Sequence, residues 1–120
     1  MSTIPFIKMH GAGNDFVVLD LRGQDASPSI ATLSAMADRH KGIGCDQIVL
    51  IERPLNGADI RFRFHNGDGS EAGACGNGTR CAAAKIMCDE GRQSLSIETP
   101  AAILNADMDS NGQVTVDMGP

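Results

Sequence analysis

The stretch Gly73-Ala-Cys-Gly-Asn-Gly-Thr-Arg-Cys-Ala-Ala-Ala-Lys-Ile-Met87 places one cysteine, Cys75, at the mouth of a small-residue turn that runs into an alanine-rich segment. From about Asn77 no helix breaker intervenes before Gly91, and a glycine there suits a helix C-terminus. Only Arg80, Lys85, Asp89 and Glu90 are charged in this span. Ala82, Ala83, Ala84, Ile86, Met87 and Cys88 leave little room for a wide polar face, so a mostly buried helix is expected. Its first turn carries Gly76, Asn77 and Gly78, whose backbone N–H groups have no partner inside the helix. Together with the positive end of the helix dipole they offer a seat for a carboxylate or phosphate. The same field lowers the pKa of a neighbouring thiol. Local sequence leaves two readings of Cys75 open: a thiolate beside an anion seat, or an ordinary buried cysteine ahead of a helix.

Working outward, Asn66-Gly-Asp-Gly-Ser70 is dense turn chemistry. The strand expected over residues 59–66 delivers Asn66 to that turn. It alternates Ile60, Phe62 and Phe64 with Arg61, Arg63 and His65, which predicts one core face and one polar face. A turn over 54–58 contains Asn56-Gly57, a hairpin signal. Before it, Gly42-Ile-Gly-Cys-Asp-Gln47 leads into a buried strand over 48–51. Gln47 at the strand start fits a structural hydrogen bond or a ligand contact equally well. Residues 29–39 place Ile30, Leu33, Met36 and Ala37 at helical spacing, predicting an amphipathic surface helix.

Strands over 4–9 and 15–21 flank His10-Gly-Ala-Gly-Asn14 and predict a hairpin. His10 is read as structural, and Asn14 as a turn residue or a ligand contact. Beyond Gly91, strands are expected at 95–98, 101–108 and 114–118, the last two joined at Asn111-Gly112. The count is about seven strands, one surface helix and one buried helix. The expected class is α+β, a curled and mostly antiparallel sheet wrapped around the central helix.

With 120 residues the chain fits one domain. A hydrophobic fraction of 42% and a charged fraction of 21% are those of a soluble globular protein. The net charge of −5, without a basic stripe, argues against nucleic acid as a partner. No apolar run approaches membrane-spanning length, and the N-terminus has no signal-peptide pattern. A cytoplasmic location with reduced cysteines is therefore expected. The spacing of Cys45, Cys75, Cys81 and Cys88 does not suit zinc, and no metal site is predicted. Cys81 and Cys88 are expected to share one stripe of the helix as small core residues, and nothing local activates Cys45.

Several separated segments resemble the diaminopimelate epimerase family: Lys8-Met-His-Gly-Ala-Gly-Asn-Asp-Phe16, Gly42-Ile-Gly-Cys-Asp-Gln47, Asn66-Gly-Asp-Gly-Ser-Glu71, Cys75-Gly-Asn-Gly-Thr-Arg-Cys81 and Val114-Thr-Val-Asp-Met-Gly-Pro120. The resemblance spans nearly the whole chain but only the N-terminal half of such an enzyme. It implies a pyridoxal-independent isomerase of 2,6-diaminopimelate, needing no cofactor, on the route to lysine and peptidoglycan. It also implies two similar lobes, each a sheet around a central helix, with substrate between them and one cysteine per lobe acting on opposite faces of the α-carbon. Carried over residue by residue, Cys75 matches the first-lobe catalytic cysteine and Gly76 and Asn77 the carboxylate-binding backbone. Asn14, Gln47 and Asn66 match side chains that hold substrate.

No residue here answers to the second-lobe cysteine. Residues 1–120 are accordingly expected to be an N-terminal catalytic lobe whose C-terminal lobe is absent, inactive alone, with a homodimer of the full-length enzyme left open. Two competing readings remain: a related cysteine racemase of proline type, and a non-catalytic carboxylate-binding module.

Overall fold

The computed structural model describes residues 6–11, 13–23, 28–40, 42–73, 76–100 and 102–117. Along the chain run β1 (Phe6–Gly11), β2 (Asn14–Asp20), α1 (Ile30–Ala37), β3 (Gln47–Glu52) and β4 (Ile60–Asn66). Then follow β5 (Glu71–Ala72), α2 (Gly76–Glu90), β6 (Ser94–Glu98), β7 (Ile103–Met108) and β8 (Val114–Asp117). The expected strand limits at residues 4, 101 and 118 lie outside the described residues.

All the strands join one sheet in the order β1-β2-β3-β4-β6-β7-β8, with the short β5 paired to β4 as well. Most neighbours are antiparallel, as expected from the hairpin signals. The exceptions are β2–β3 and β4–β6, which are parallel. Parallel neighbours need a crossover, and α1 and α2 are those crossovers. Both step the same way along the sheet, but β2 and β4 run in opposite directions. With right-handed crossovers the two helices must then lie on opposite faces.

The core divides accordingly. Val18, Val49, Ile51, Phe62 and Phe64 pack with Ala82, Ala83, Ile86 and Met87 of α2. Val17, Leu19, Ile48 and Leu50 pack with Leu33 and Ala37 of α1. This two-sided cover explains why Phe16-Val-Val-Leu19 and Ile48-Val-Leu-Ile51 are unbroken apolar runs, since neither face of these strands meets water. The sheet curls around α2, which touches both of its end strands, β1 and β8.

Helix limits follow local chemistry. Ser29 caps α1, its hydroxyl accepting from the Thr32 N–H at 3.1 Å. Ile30, predicted for the apolar face of α1, is instead exposed. Gly91 ends α2 at φ 67°, and the Arg92 N–H reaches back to the Met87 carbonyl at 2.9 Å, as in a Schellman motif. The buried stripe of α2 is Thr79, Ala82, Ala83, Ile86 and Met87. Cys81 and Cys88 do share a stripe, but it lies to one side of the core, leaving Cys81 half-buried and Cys88 exposed. Both therefore depart from the expected core role.

The polar side of β4 also differs from its alternation pattern, because His65 is buried. Its Nδ1 donates to the Gly69 carbonyl at 2.9 Å and ties down the turn after β4. The connection over 53–59 is longer than a tight hairpin. It is pinned by buried Glu98, whose carboxylate accepts backbone N–H bonds from Leu55 (2.8 Å), Asn56 and Ala58.

Candidate active site

One end of the sheet collects the polar residues singled out in the sequence. Gln47, the first residue of β3, stands opposite Asn66, the last residue of β4. On the other side of β3, the parallel ladder to β2 begins with Phe16 opposite Gln47, and Asn14 lies two residues earlier on β2. Side chains alternate along a strand, so Asn14 shares a face with Phe16 and Val18. Gln47 shares one with Val49 and Ile51, and Asn66 with Phe62 and Phe64. That face is the one α2 covers. At this end the apolar α2-facing rows of three adjacent strands change to amides. Asn14 is exposed, and Gln47 and Asn66 are half-buried.

The N-terminus of α2 lies at the same end. β5 returns beside β4, with Ala72 opposite Phe64, so the chain enters α2 close to the Asn66 end of β4. At the other end of the helix, β6 starts beside the beginning of β4, with Ile97 opposite Ile60. The helix therefore runs antiparallel to β4, its N-terminus toward the amides. A contact 3.9 Å long from the Cys81 thiol to the His10 carbonyl places the second turn of α2 beside the end of β1. The first turn of α2 holds Gly76 and half-buried Asn77 and contains no acidic side chain. Its dipole is thus not opposed from within the helix. Cys75, the residue before Gly76 in sequence, lies outside the described residues.

Asn66 is held within its own turn. The Asn66 Nδ2 donates to the Ser70 hydroxyl at 3.2 Å, and that hydroxyl donates to Asp68 at 2.5 Å. The Ser70 bonds hold the Asp68 carboxyl below its ordinary value. In the same turn Gly69 has φ 88°, and a side chain there would strike the Ile30 carbonyl at 2.6 Å. The turn can rest on α1 only because the residue is glycine.

The loop before Gln47 also rests on α1. Gly44 N–H donates to the Met36 carbonyl at 3.0 Å and Cys45 N–H to Ala37 at 3.2 Å. Side chains at Gly42 would collide with the carbonyls of Ala35 and Met36. The glycines of Gly42-Ile-Gly44 therefore serve close packing on the helix. Burial pushes the Cys45 thiol up, away from thiolate character.

A charged cluster absent from the sequence reading stands beside Asn14 and Gln47. Buried Asp15 receives both arms of the Arg39 guanidinium, at 3.0 and 2.9 Å, and the Lys8 ammonium lies 3.4 Å away. Arg39 also reaches Asp46 at 2.9 Å. The Arg39 guanidinium beside Asp15 holds its carboxyl well below the usual range, against the opposing effect of burial, with help from the Asp46 N–H and Lys8. The signal available in the sequence was an aspartate directly beside each amide, Asp15 after Asn14 and Asp46 before Gln47.

Chemically, a helix N-terminus can receive a carboxylate, and neutral amides can orient the polar groups of a ligand.

Solved structures place this fold in a known class. A phenazine biosynthesis protein of the PhzF family from Bacillus anthracis is similar, with a TM-score of 0.67 and 24% identity over 97% of this chain and 40% of that one. A PhzF-family protein from Enterococcus faecalis matches with a TM-score of 0.63 and 14% identity, over 89% of this chain and 41% of that one. The fold is thus that of about 40% of these PhzF-family chains. The model of the diaminopimelate epimerase family matches residues 6–120, and the chain belongs to that family. Diaminopimelate epimerases from Rhodospirillum centenum and Acidiphilium cryptum are 52% and 53% identical over 96% of this chain. That from Neisseria meningitidis is 44% identical over 99% of it. The chain spans about 40% of the length of these relatives, from 40% to 43%.

Proposed function

We propose that this chain is the N-terminal catalytic lobe of a diaminopimelate epimerase. What supports the proposal is that Asn14, Gln47 and Asn66 lie at the end of the sheet toward which the N-terminus of α2 points, in a chain that the family matches from residue 6 to residue 120. The partner is a C-terminal lobe supplying the second cysteine, the substrate is 2,6-diaminopimelate, and the compartment is the cytoplasm. No helix among the described residues is long and apolar enough to cross a membrane.

In this reading the substrate carboxylate sits on the backbone N–H groups of Gly76 and Asn77. Cys75 removes or returns the α-proton on one face, and the second lobe's cysteine acts on the opposite face. As the proton leaves, charge develops on the α-carbon and spreads into the carboxylate, where aligned N–H donors stabilise it. Asn14, Gln47 and Asn66 orient the amino acid without neutralising the reacting charge. Covering by the second lobe excludes water, which strengthens these interactions and favours proton transfer to carbon.

The test is chiral chromatography of LL-diaminopimelate incubated with the full-length protein, with proline in parallel. Conversion to the meso form, with proline untouched, is the expected result. Turnover of proline instead would assign a proline-type racemase. Binding of diaminopimelate without turnover would assign a carboxylate-binding module. Sedimentation of the same sample tests whether two copies associate.

A further inference from the structure

We propose that Arg39 is a positioning residue for the amide cluster: by bridging Asp15 and Asp46 it fixes Asn14 and Gln47 relative to one another. The inference rests on the reading of those amides as substrate contacts. The parallel ladder of β2 and β3 begins only at Phe16 and Gln47, so the two amides sit at its margin, where the strands could splay. Reciprocal bonds close that margin. The Asp46 N–H donates to Asp15 Oδ1 at 2.8 Å and to the Asp15 carbonyl at 3.1 Å, and the Asp15 N–H donates to Asp46 Oδ2 at 3.2 Å. This brings two carboxylates together, and like charges at such separations repel.

Arg39 resolves the repulsion with geometry as well as charge. Nη1 donates to Asp15 Oδ2 at 3.0 Å, and Nη2 to Asp15 Oδ1 and Asp46 Oδ1, each at 2.9 Å. A planar fork can hold both carboxylates in one plane, whereas a lysine ammonium is a point charge on a flexible stem. The fork is itself anchored. Arg39 follows the α1 C-terminus, and Gly44, at φ 81°, lets the loop pass so close that a Cβ there would stand 3.1 Å from the Arg39 backbone and stem. The Arg39 side chain is 53% exposed. Its partner Asp15 is buried, with a side chain only 11% exposed, so loss of the guanidinium also costs stability. Arg39→Lys keeps a positive charge there, and the melting temperature separates the effect on the site from the effect on the fold. Asn66 is held by Ser70 and Asp68 in a different loop, and serves as an internal control.

The experiment uses the full-length protein carrying Arg39→Lys, Arg39→Gln or Asp46→Asn, the last removing the second negative charge while keeping an oxygen that can accept from Arg39. Three quantities are read: kcat and KM on diaminopimelate, the melting temperature, and NMR order of the side-chain amides of Asn14, Gln47 and Asn66. Arg39→Lys and Asp46→Asn are expected to keep a melting temperature within about 5 °C of the parent, and Arg39→Gln, which strips buried Asp15 of its main counter-charge, to lower it further. The kcat/KM should fall roughly tenfold to hundredfold for both Arg39 variants, the scale of a misplaced contact. The amides of Asn14 and Gln47 should lose order while that of Asn66 does not. Full activity in Arg39→Lys would overturn the proposal, because charge alone would then suffice. So would lost activity that tracks melting temperature while the amides of Asn14 and Gln47 stay ordered. If the parent protein does not epimerise diaminopimelate, the functional reading fails separately. Unchanged amide order in Arg39→Gln would then still overturn the positioning role.

Discussion

Gln47 and Asn66 are direct partners across the antiparallel β3–β4 ladder, and both lie in the rows of side chains that face α2. Opposed residues of this kind have Cβ atoms about 5 Å apart, close enough to share one small ligand. Gln47→Ala and Asn66→Ala should each lower kcat/KM by roughly tenfold or more. The double variant should lose less than the product of the two. Because both side chains are half-buried at strand ends, urea stability should change by less than about 1 kcal/mol. Kinetics and urea denaturation on the same proteins check this. Fully multiplicative losses would mean that the two amides do not act on a common ligand.

The turn carrying Asn66 depends on Gly69. A left-handed residue other than glycine costs about 1–2 kcal/mol, and at Gly69 the collision with Ile30 is added. Gly13 has a similar φ of 86° but open space around it. Gly69→Ala should therefore destabilise by about 3 kcal/mol or more, and Gly13→Ala by about 1 kcal/mol. Equal effects in urea would show that steric contact with α1 plays no part.

Acid should unfold the protein through its bonded carboxylates. Asp15 and Glu98 both titrate below their ordinary values of 3.8 and 4.5, Asp15 chiefly through Arg39 and Glu98 chiefly through the Leu55 N–H. As pH falls, the unfolded chain takes up these protons first. The stability they contribute is complete above about pH 5 and is lost as pH drops through about 4 toward the folded-state values. Asp15→Asn should lessen the difference in urea midpoint between pH 6 and pH 3. An undiminished difference would assign the acid sensitivity elsewhere.

The stripes of α2 give a contrast in packing. Ala83 is fully buried against the sheet, and Cys88 is exposed. Ala83→Leu should destabilise by about 1–3 kcal/mol through overpacking, whereas Cys88→Ser should stay within about 0.5 kcal/mol. Thermal melts compare the two directly.

Much of this was legible in the sequence. Gly91 marked the end of α2, the alanines marked its close approach to the sheet, and the alternation of Ile60, Phe62 and Phe64 marked the core face of β4. Asn14, Gln47 and Asn66 could be named from local pattern and resemblance. Their convergence could not, because it depends on β2 and β3 being parallel, a pairing set by the crossover α1 and not by any turn. Long-range polar contacts were equally hidden. His65 looked like a surface residue and Glu98 like a strand end until the turns that they hold were in view. Cys81 and Cys88 fall on one stripe, as their spacing predicts, but that stripe lies beside the core, because composition alone does not orient an alanine-rich face.

The catalytic role of Cys75 is tested by α-proton exchange into diaminopimelate in D2O, read by mass spectrometry, with the full-length protein and its Cys75→Ala variant. Deuterium at the α-carbon with the parent protein and loss of epimerisation in Cys75→Ala are the expected results. Undiminished epimerisation in Cys75→Ala would contradict that role.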